Sequence, residues 1–542
     1  MATPTTSFPA MSTDYTPDSQ VETAYQTLRD TFRSGRTREI AWRKWQLKQL
    51  WWLVEENEQR ILDALHQDLH RHTFESVFSE LRGIKKDILD HVQNIDKWTA
   101  DQVPDSGLVM KSLLRPTIRY EPLGVALIIG PWNYPTSLIL QPLTAAITAG
   151  CAVMLKPSEI TVATQNLLVE LIPKYMDPSA IQIVTGGAAE TGRLMARKFD
   201  HIFFTGSVNV ARYVAAAAAK NLTPTTLELG GQCPAIVTKS ADIEAAAQDI
   251  AWVKFLNSGQ ICLSVNHVFV HPDVEKQLIE RLTFYFNKYF AEGEEGMTRI
   301  VNQKNYDRLK GLLEKTEGSV QTDAVLDTEK RQIPLSLVTN VNMTDTLLSE
   351  ELFGSICPVI TSTTQDAIDS INNLPAPLGL YIFSHDEQEI EHILSSTQSG
   401  GVTINKVALH AAVPGAPFGG VGESGHGYYH GEWGFKAFSH MRTIARPRPL
   451  MSKLSTFALP PYSMDKLKWL QVKNGLGFKR EWTLEDERRA SSRGLWQKLG
   501  ARATHILAIL VSLGLMDYQT NQCFGLLRRA IGAVEYLRTW FR

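Results

Sequence analysis

Over residues 21–96, apolar positions recur with a period of about 3.6 residues. Leu47, Leu50, Trp51, Val54, Ile61, Leu62 and Leu65 are separated by charged residues. That spacing lays one apolar stripe along each helix and predicts helices packed on a core. Near residue 100 the pattern changes: Leu113, Ile118 and Tyr120 alternate loosely and lead into Pro122. From 125 onward, short uninterrupted apolar runs alternate with helical stretches. The runs fall at 125–130, 151–155, 181–184 and 201–204, and the helices at 138–149, 164–175 and 210–220. Uninterrupted apolar strands are buried on both faces, so the alternation predicts a parallel sheet covered by helices on both sides. Ligands of such sheets bind beyond the carboxyl ends of the strands. Asn133, Lys156, Glu159, Gly186, Gly206 and Ser207 all fall at those ends. A second α/β segment begins at Leu227 and runs to about Gly431. Within it the polar stretch 291–330 yields only a helix around 306–313. Beyond it, 438–446 alternates as an edge strand.

The two ends depart from this pattern. Residues 1–20 are rich in Thr, Ser and Pro and lack an apolar run, which predicts a disordered lead-in and not a signal peptide. After about 450, Pro460 and Pro461 mark a linker, and Lys466, Lys468, Lys473, Lys479 and Arg480 make a basic stretch. The apolar run 506–516 has eleven uncharged residues, short of the roughly 20 that a helix needs to span a bilayer. Phe524, Leu527, Ile531, Val534, Leu537 and Phe541 then repeat at helical spacing beside Arg528, Arg529, Arg538 and Arg542. A basic rim along an apolar face suits anionic lipid and predicts an interfacial membrane anchor. The alternative is a tail that packs back on the protein, over a site mouth.

Composition narrows the classes. A chain of 542 residues is expected to hold two or three domains. A net charge of −2 offers no field for nucleic acid. Five cysteines without a CxxC pair argue against a disulfide framework or a zinc knuckle, and for a reducing compartment. His426 and His430 stand four apart, but Gly425, Gly427 and Gly431 surround them and no glutamate lies between, so no metal site is expected.

Among the cysteines only Cys262, in Asn257-Ser258-Gly259-Gln260-Ile261-Cys262, follows small and polar residues that let a backbone approach a ligand. A thiol there is poised for an electrophile once something ionises it. Without such a partner it reads as a small core hydrophobe.

The motifs supply that partner. PWNYP (131–135), LKPSE (155–159), FTGS (204–207), LELGG (227–231), NSGQIC (257–262), EELFG (350–354) and PFGGVGESGHGYYHG (417–431) occur in this order. Together they resemble the aldehyde dehydrogenase superfamily, most closely the class 3 group that includes the fatty aldehyde dehydrogenases, over about residues 20–450. Gly186-Gly187 and the YHG and FSH pair at 429–431 and 438–440 are similar to class 3 in particular. The resemblance implies an α/β fold of aldehyde dehydrogenase type: a Rossmann-type NAD(P)-binding domain (21–100 and 123–227), an α/β catalytic domain (228–431) and a small oligomerisation arm (101–122 and 432–450). A linker and tail occupy 451–542. It implies Cys262 as nucleophile, Asn133 as oxyanion donor with the Cys262 amide, and Glu228 as the base that activates water. It also implies NAD, with NADP possible, as cofactor. Lys156 and Glu159 would hold the adenosine ribose, Glu351 the nicotinamide ribose, and Trp132 and Phe353 would wall the cofactor. Gly206 and Ser207 would open a helix toward its phosphates. Glu159 favours a free ribose 2′-OH, hence NAD over NADP.

Two positions depart from the family pattern. Ala211 stands where a glycine is usual, adding a methyl group where helix and sheet, or helix and pyrophosphate, come close. Gln232 stands where class 3 members commonly carry lysine. The expected reaction is oxidation of a long-chain or hydrophobic aldehyde, fatty aldehydes first. Apocarotenals, oxidised to an acidic carotenoid by similar fungal enzymes, and aromatic aldehydes are alternatives. A silent scaffold on the same fold would not need Cys262, Glu228, Asn133 and Glu351 together, and a thioester-forming transferase would not need Glu228. A homodimer is the expected assembly. The expected location is the cytoplasmic side of an intracellular membrane, with a soluble cytoplasmic protein as the alternative.

Overall fold

Two mainly parallel sheets and one antiparallel ribbon carry the fold. The computed structural model describes residues 15–293, 296–321, 326–449, 459–462, 464 and 479–490. The chain divides into two units, Met1–Arg448 and Pro449–Arg542, and among the described residues the sheets lie in the first. The ribbon pairs β1 (Thr117–Pro122) with β15 (Ser439–Ile444).

The first sheet contains β2 (Val125–Ile129), β3 (Ala152–Lys156), β4 (Ile181–Ile183), β5 (His201–Thr205), β6 (Thr225–Glu228) and β14 (Gly425–His426). Every residue of β2, β3 and β5 is buried, which is why their sequences run apolar without alternation. Successive β2 side chains serve opposite cores. Ala126 and Ile128 join Leu47, Leu50, Ile88, Ile139 and Leu143 on one face, while Val125, Leu127 and Ile129 join Leu28, Ala211 and Val214 on the other. The order is β14-β6-β5-β2-β3-β4, with only β14 antiparallel. Chain progression reverses between β5 and β2, the point where doubly wound sheets open a ligand crevice. Ile129 lies opposite both Lys156 and Phe204, and Thr205 opposite Glu228. The carboxyl ends are therefore level, and the segments after them share one edge.

The second sheet contains β7 (Pro234–Val237), β8 (His267–Val270), β9 (Ser319–Val320), β10 (Ser336–Thr339), β11 (Ile356–Thr361), β12 (Gly379–Phe383) and β13 (Gly401–Ile404). Its order is β13-β12-β7-β8-β11-β10-β9, parallel except for β9.

The structure corrects the expected lead-in. The first helix, Asp18–Ser34, begins inside it, and the Thr16 amide donates to the Thr185 carbonyl at 3.2 Å while the Thr185 amide donates to Thr16 Oγ1 at 2.9 Å. Residues 1–14 lie outside the described residues. In the polar stretch, helix Gln303–Lys315 is longer than expected and β9 was not foreseen. The apolar run 506–516 and the helical pattern 524–541 also lie outside the described residues. Among those described, no helix is long and apolar enough to cross a membrane.

Candidate active site

The site forms where the level carboxyl ends of the first sheet meet loops that enter the strands of the second. After β2 the chain turns through Trp132 and Asn133 into the buried helix Ser137–Ala149. The Asn133 side-chain amide donates to the Gln260 carbonyl at 3.1 Å, so it reaches the Cys262 loop. After β3, Lys156 and Glu159 form an ion pair, and the Gly130 amide donates to the Lys156 carbonyl at 3.1 Å. After β5, the Gly206 amide donates to the Glu228 carbonyl at 3.1 Å. Ser207 caps helix Val208–Lys220 by accepting from the Val210 amide at 3.4 Å. The remaining first-turn amides of that helix form an anion-attracting terminus.

Glu228 ends β6 and is 3% exposed. Neither of its carboxylate oxygens has a hydrogen-bond partner. Burial pushes its carboxyl well above the usual range.

The Cys262 loop is held by an unusual backbone. Asn257, Ser258 and Gly259 take positive φ in succession, at 50°, 52° and 71°. A Cβ at Gly259 would collide with the Gly354 carbonyl, so this loop and the EELFG loop touch backbone to backbone. Gln260 fixes the next step: its amide donates to the Asn257 and Arg299 carbonyls at 3.0 Å each, and its Oε1 accepts from Val301 at 3.0 Å. Cys262 is half-buried, and its carbonyl accepts from the Cys233 thiol at 3.2 Å. Burial, then the charges of Glu351, Cys233 and Glu228, raise the Cys262 thiol. Reaction at this sulfur therefore depends on proton removal or a nearby positive field.

Glu351 lies against Gly230, where a Cβ would fall inside its carboxylate. Burial raises it to about 7, opposed by a hydrogen bond from the Gly231 amide and by Arg308 and Lys254. Its Oε1 has no partner. Two residues on, Phe353 takes φ of 51° and packs edge to face on Trp132, with ring centroids 5.3 Å apart. The segments after β2, β3, β5 and β6 share one sheet edge, and two of them touch the loops of the second sheet, Asn133 through Gln260 and Gly230 against Glu351. Gln232 donates to the Leu348 carbonyl at 2.9 Å, and its Oε1 is buried without a partner. The Ala211 methyl is buried in the apolar core beneath its helix. His426 bonds Thr225 at 2.7 Å, whereas His430 stacks on Phe418.

Sequence reasoning missed a buried group beside this site. Arg71 is fully buried and donates to Glu80, to the Asn133 carbonyl, and to Asn257 Oδ1 at 2.7 and 3.2 Å. Its guanidinium also lies 4.8 Å from the Tyr134 ring centroid. Also missed is an exposed aromatic cluster in which Phe74 stacks on Phe78 and Phe78 meets Trp252 edge to face. Trp252 sits on helix Ile243–Phe255, which feeds the Cys262 loop, and Phe74 and Phe78 flank Glu75, which accepts the Asn257 amide at 2.7 Å.

Known proteins resemble this chain in sequence and in overall fold. The profile of the Aldehyde dehydrogenase family matches residues 1–444. Aldehyde dehydrogenase family 3 member B1 of Rattus norvegicus is 40% identical over 455 residues, 83% of this chain and 97% of that protein. The Rattus norvegicus protein named Aldehyde dehydrogenase, dimeric NADP-preferring, is 38% identical over 448 residues, 82% of this chain and 98% of that one. Among solved structures, the substrate-bound state of Staphylococcus aureus AldH has a TM-score of 0.80 at 35% identity, covering 83% of this chain and 98% of that one.

Proposed function

The chain belongs to the aldehyde dehydrogenase family, and from that premise we propose that it uses Cys262, Asn133 and Glu228 to oxidise long-chain, hydrophobic aldehydes, fatty aldehydes first. The observation that carries this is the meeting of the Asn133 turn with the Cys262 loop through Gln260, beside a buried, unpartnered Glu228.

The Cys262 thiol gives up its proton to solvent and its sulfur adds to the aldehyde carbon, giving a thiohemiacetal whose oxyanion takes hydrogen bonds from the Asn133 amide and the Cys262 N–H. Bound NAD(P) supplies the hydride acceptor. The residues fit it: a Ser207-capped helix terminus suits phosphate, the orphaned Glu351 Oε1 suits a ribose hydroxyl, and the Trp132–Phe353 pair suits a flat ring. Loss of hydride from the thiohemiacetal carbon leaves a thioester on Cys262. Glu228 takes a proton from water as that water attacks the thioester, and the acid leaves as the thiol is restored. A carboxyl pushed upward by burial is a stronger base toward water than an ordinary glutamate.

The hydrophobic substrate class is supported by the exposed cluster of Phe74, Phe78 and Trp252, rooted on the two elements that grip the Cys262 loop. A dimer is supported by the β1–β15 ribbon, which presents exposed residues on β15, and by the relative named dimeric. Membrane attachment is proposed for the tail after residue 450. Deleting it is expected to release the protein from membranes while decanal turnover persists, and continued pelleting with membranes would contradict the anchor.

The deciding test follows NAD(P) reduction with aldehydes of increasing chain length, by wild type and Cys262→Ala. Catalytic efficiency is expected to rise with chain length and to vanish in the variant. Turnover of decanal by Cys262→Ala at the wild-type rate would remove the nucleophile. A flat chain-length series would remove the hydrophobic substrate class.

A further inference from the structure

We propose that Arg71 is a positioning residue that sets the aim of the Asn133 amide, and so the strength of the oxyanion site. This rests on the proposed roles of Asn133 and Cys262 and adds a group that touches neither substrate nor cofactor.

The hydrogen bonds around Arg71 close a ring. The Asn133 carbonyl accepts from Arg71 Nη2 and from Asn257 Nδ2, the latter at 3.1 Å. Asn257 Nδ2 also reaches the Gln260 carbonyl at 3.0 Å, the same oxygen that accepts from Asn133 Nδ2 at 3.1 Å. Arg71 returns to Asn257 through Oδ1. The Asn133 backbone is thereby pinned at its carbonyl, and its side chain is directed along the 260–262 backbone. One N–H of the Asn133 amide goes to Gln260, which leaves the other for an oxyanion at Cys262.

Glu80 extends the grip to the following turn. One carboxylate oxygen takes the Arg71 guanidinium, and the other accepts from the Thr136 and Ser137 amides at 2.9 and 2.8 Å. Glu75 fixes the far side by accepting the Asn257 amide. The π-helical turn Val77–Leu81 carries Glu80 inward, and such turns are frequent at functional sites.

A buried ion pair needs no such destination if its role is stability alone, and an apolar replacement is often as stable. Here the planar fork reaches both loops that supply the proposed oxyanion donors, which an ammonium or an apolar side chain cannot do with the same geometry. Misplacement of such a donor by about 1 Å can lower turnover on the order of 100-fold.

The test compares full-length wild type, Arg71→Met, Arg71→Lys, Asn133→Ala and the double variants, with decanal and NAD+. Active sites are counted from the stoichiometry of NADH binding, so turnover is expressed per competent site. Arg71→Met is expected to lower kcat per site about 100-fold while aldehyde KM and NAD+ affinity move less than about threefold. Arg71→Lys, which keeps the charge, is expected to recover to within about tenfold of wild type. In the Asn133→Ala background either Arg71 substitution should add less than about twofold, because the aimed group is already gone. Unchanged kcat per site with only fewer cofactor-binding sites or a lower Tm would make Arg71 a structural residue and overturn the proposal. Losses that multiply in the double variants would overturn it as well. If Arg71→Met does not fold, the Arg71→Lys pair decides in the same way. Wild-type turnover by Asn133→Ala would instead remove Asn133 from the reaction, and this role of Arg71 with it.

Discussion

The two sheets bring opposite ends to the same group of loops. The six-stranded sheet offers the carboxyl ends of β2, β3, β5 and β6, which lead directly to Asn133, Lys156, Gly206 and Glu228. The seven-stranded sheet offers the amino ends of β8 and β11, reached only after the Cys262 and Glu351–Phe353 loops. On the first side, strand register sets the height of each functional group. On the second, position depends on backbone torsions that few residues adopt: three successive positive φ values before Cys262 and one at Phe353. A register is held by a whole ladder of hydrogen bonds, whereas a strained loop is held by its neighbours. Substitutions should therefore act locally on the first side and spread on the second.

The largest expected effect is at Glu228, where the environment and not the backbone is special. Glu228→Gln should lower steady-state turnover by about 10²- to 10⁴-fold and leave the NAD(P)H burst intact, because only hydrolysis of the thioester is affected. Burial raises the wild-type carboxyl, so its base form is lost as pH falls through that raised value. Wild-type hydrolysis should thus climb with pH above the ordinary glutamate range, and the variant should lose this rise. Loss of the burst in Glu228→Gln would place the residue before hydride transfer instead.

Next comes Gly259→Ala, the direct test of the loop side. The new methyl meets the Gly354 carbonyl at a positive φ, so the loop must shift. Turnover is expected to fall on the order of 100-fold, and Tm by several degrees for a cost of about 1–3 kcal/mol. NAD(P) affinity should weaken as well, since Glu351 and Phe353 lie on the displaced partner loop. Wild-type cofactor affinity in this variant would mean that the two loops are mechanically independent.

These contrasts also explain what was legible in the sequence. Four strands of the first sheet announced themselves, because strands buried on both faces are written as unbroken apolar runs; β6, read as the start of the second segment, pairs with β5 in the first sheet, and β14 was not foreseen. Asn133, Lys156, Glu159, Gly206 and Ser207 were read at strand ends, whereas the role of Glu228 came from the LELGG motif. Cys262 and Glu351 were legible as motifs, yet nothing in their composition revealed that Gly259 touches Gly354 or that Glu351 rests on Gly230. Arg71 was hidden for a further reason. It lies in a polar stretch between His70 and His72 that resembles a solvated helix end, and its partner Asn257 is 186 positions away. The only local hint was Glu75 four residues on, a spacing shared by many surface ion pairs. The end of the expected lead-in was misjudged because Thr16 is ordered by pairing with Thr185, a contact composition cannot foretell.

On the strand-end side a smaller, local response is expected at Glu159. Its carboxylate is partly exposed and paired with Lys156, so its removal leaves the β3 register intact. Glu159→Gln should shift preference from NAD toward NADP by about tenfold, since a 2′-phosphate no longer faces a carboxylate and Lys156 is freed to meet it. Affinity measurements with both cofactors decide this, and an unchanged ratio would move the 2′-position away from Glu159.

The smallest effect is expected at Ala211, the residue that differs from the family's usual glycine. If its methyl pressed on the pyrophosphate, Ala211→Gly would tighten cofactor binding. The structure directs the methyl elsewhere: Ala211 is 2% exposed and belongs to the apolar cluster that also holds Val125, Leu127 and Val214. Its amide donates to the Ser207 carbonyl at 2.9 Å, within the first turn of the helix. Glycine there would remove a packed methyl and loosen the turn, at a cost of about 1 kcal/mol. The expected outcome is a Tm lowered by a few degrees with NAD(P) affinity changed less than about twofold. A several-fold gain in affinity would show that this helix terminus, like the loops across the cleft, is held under strain against the cofactor, and would erase the distinction between the two sides at that point.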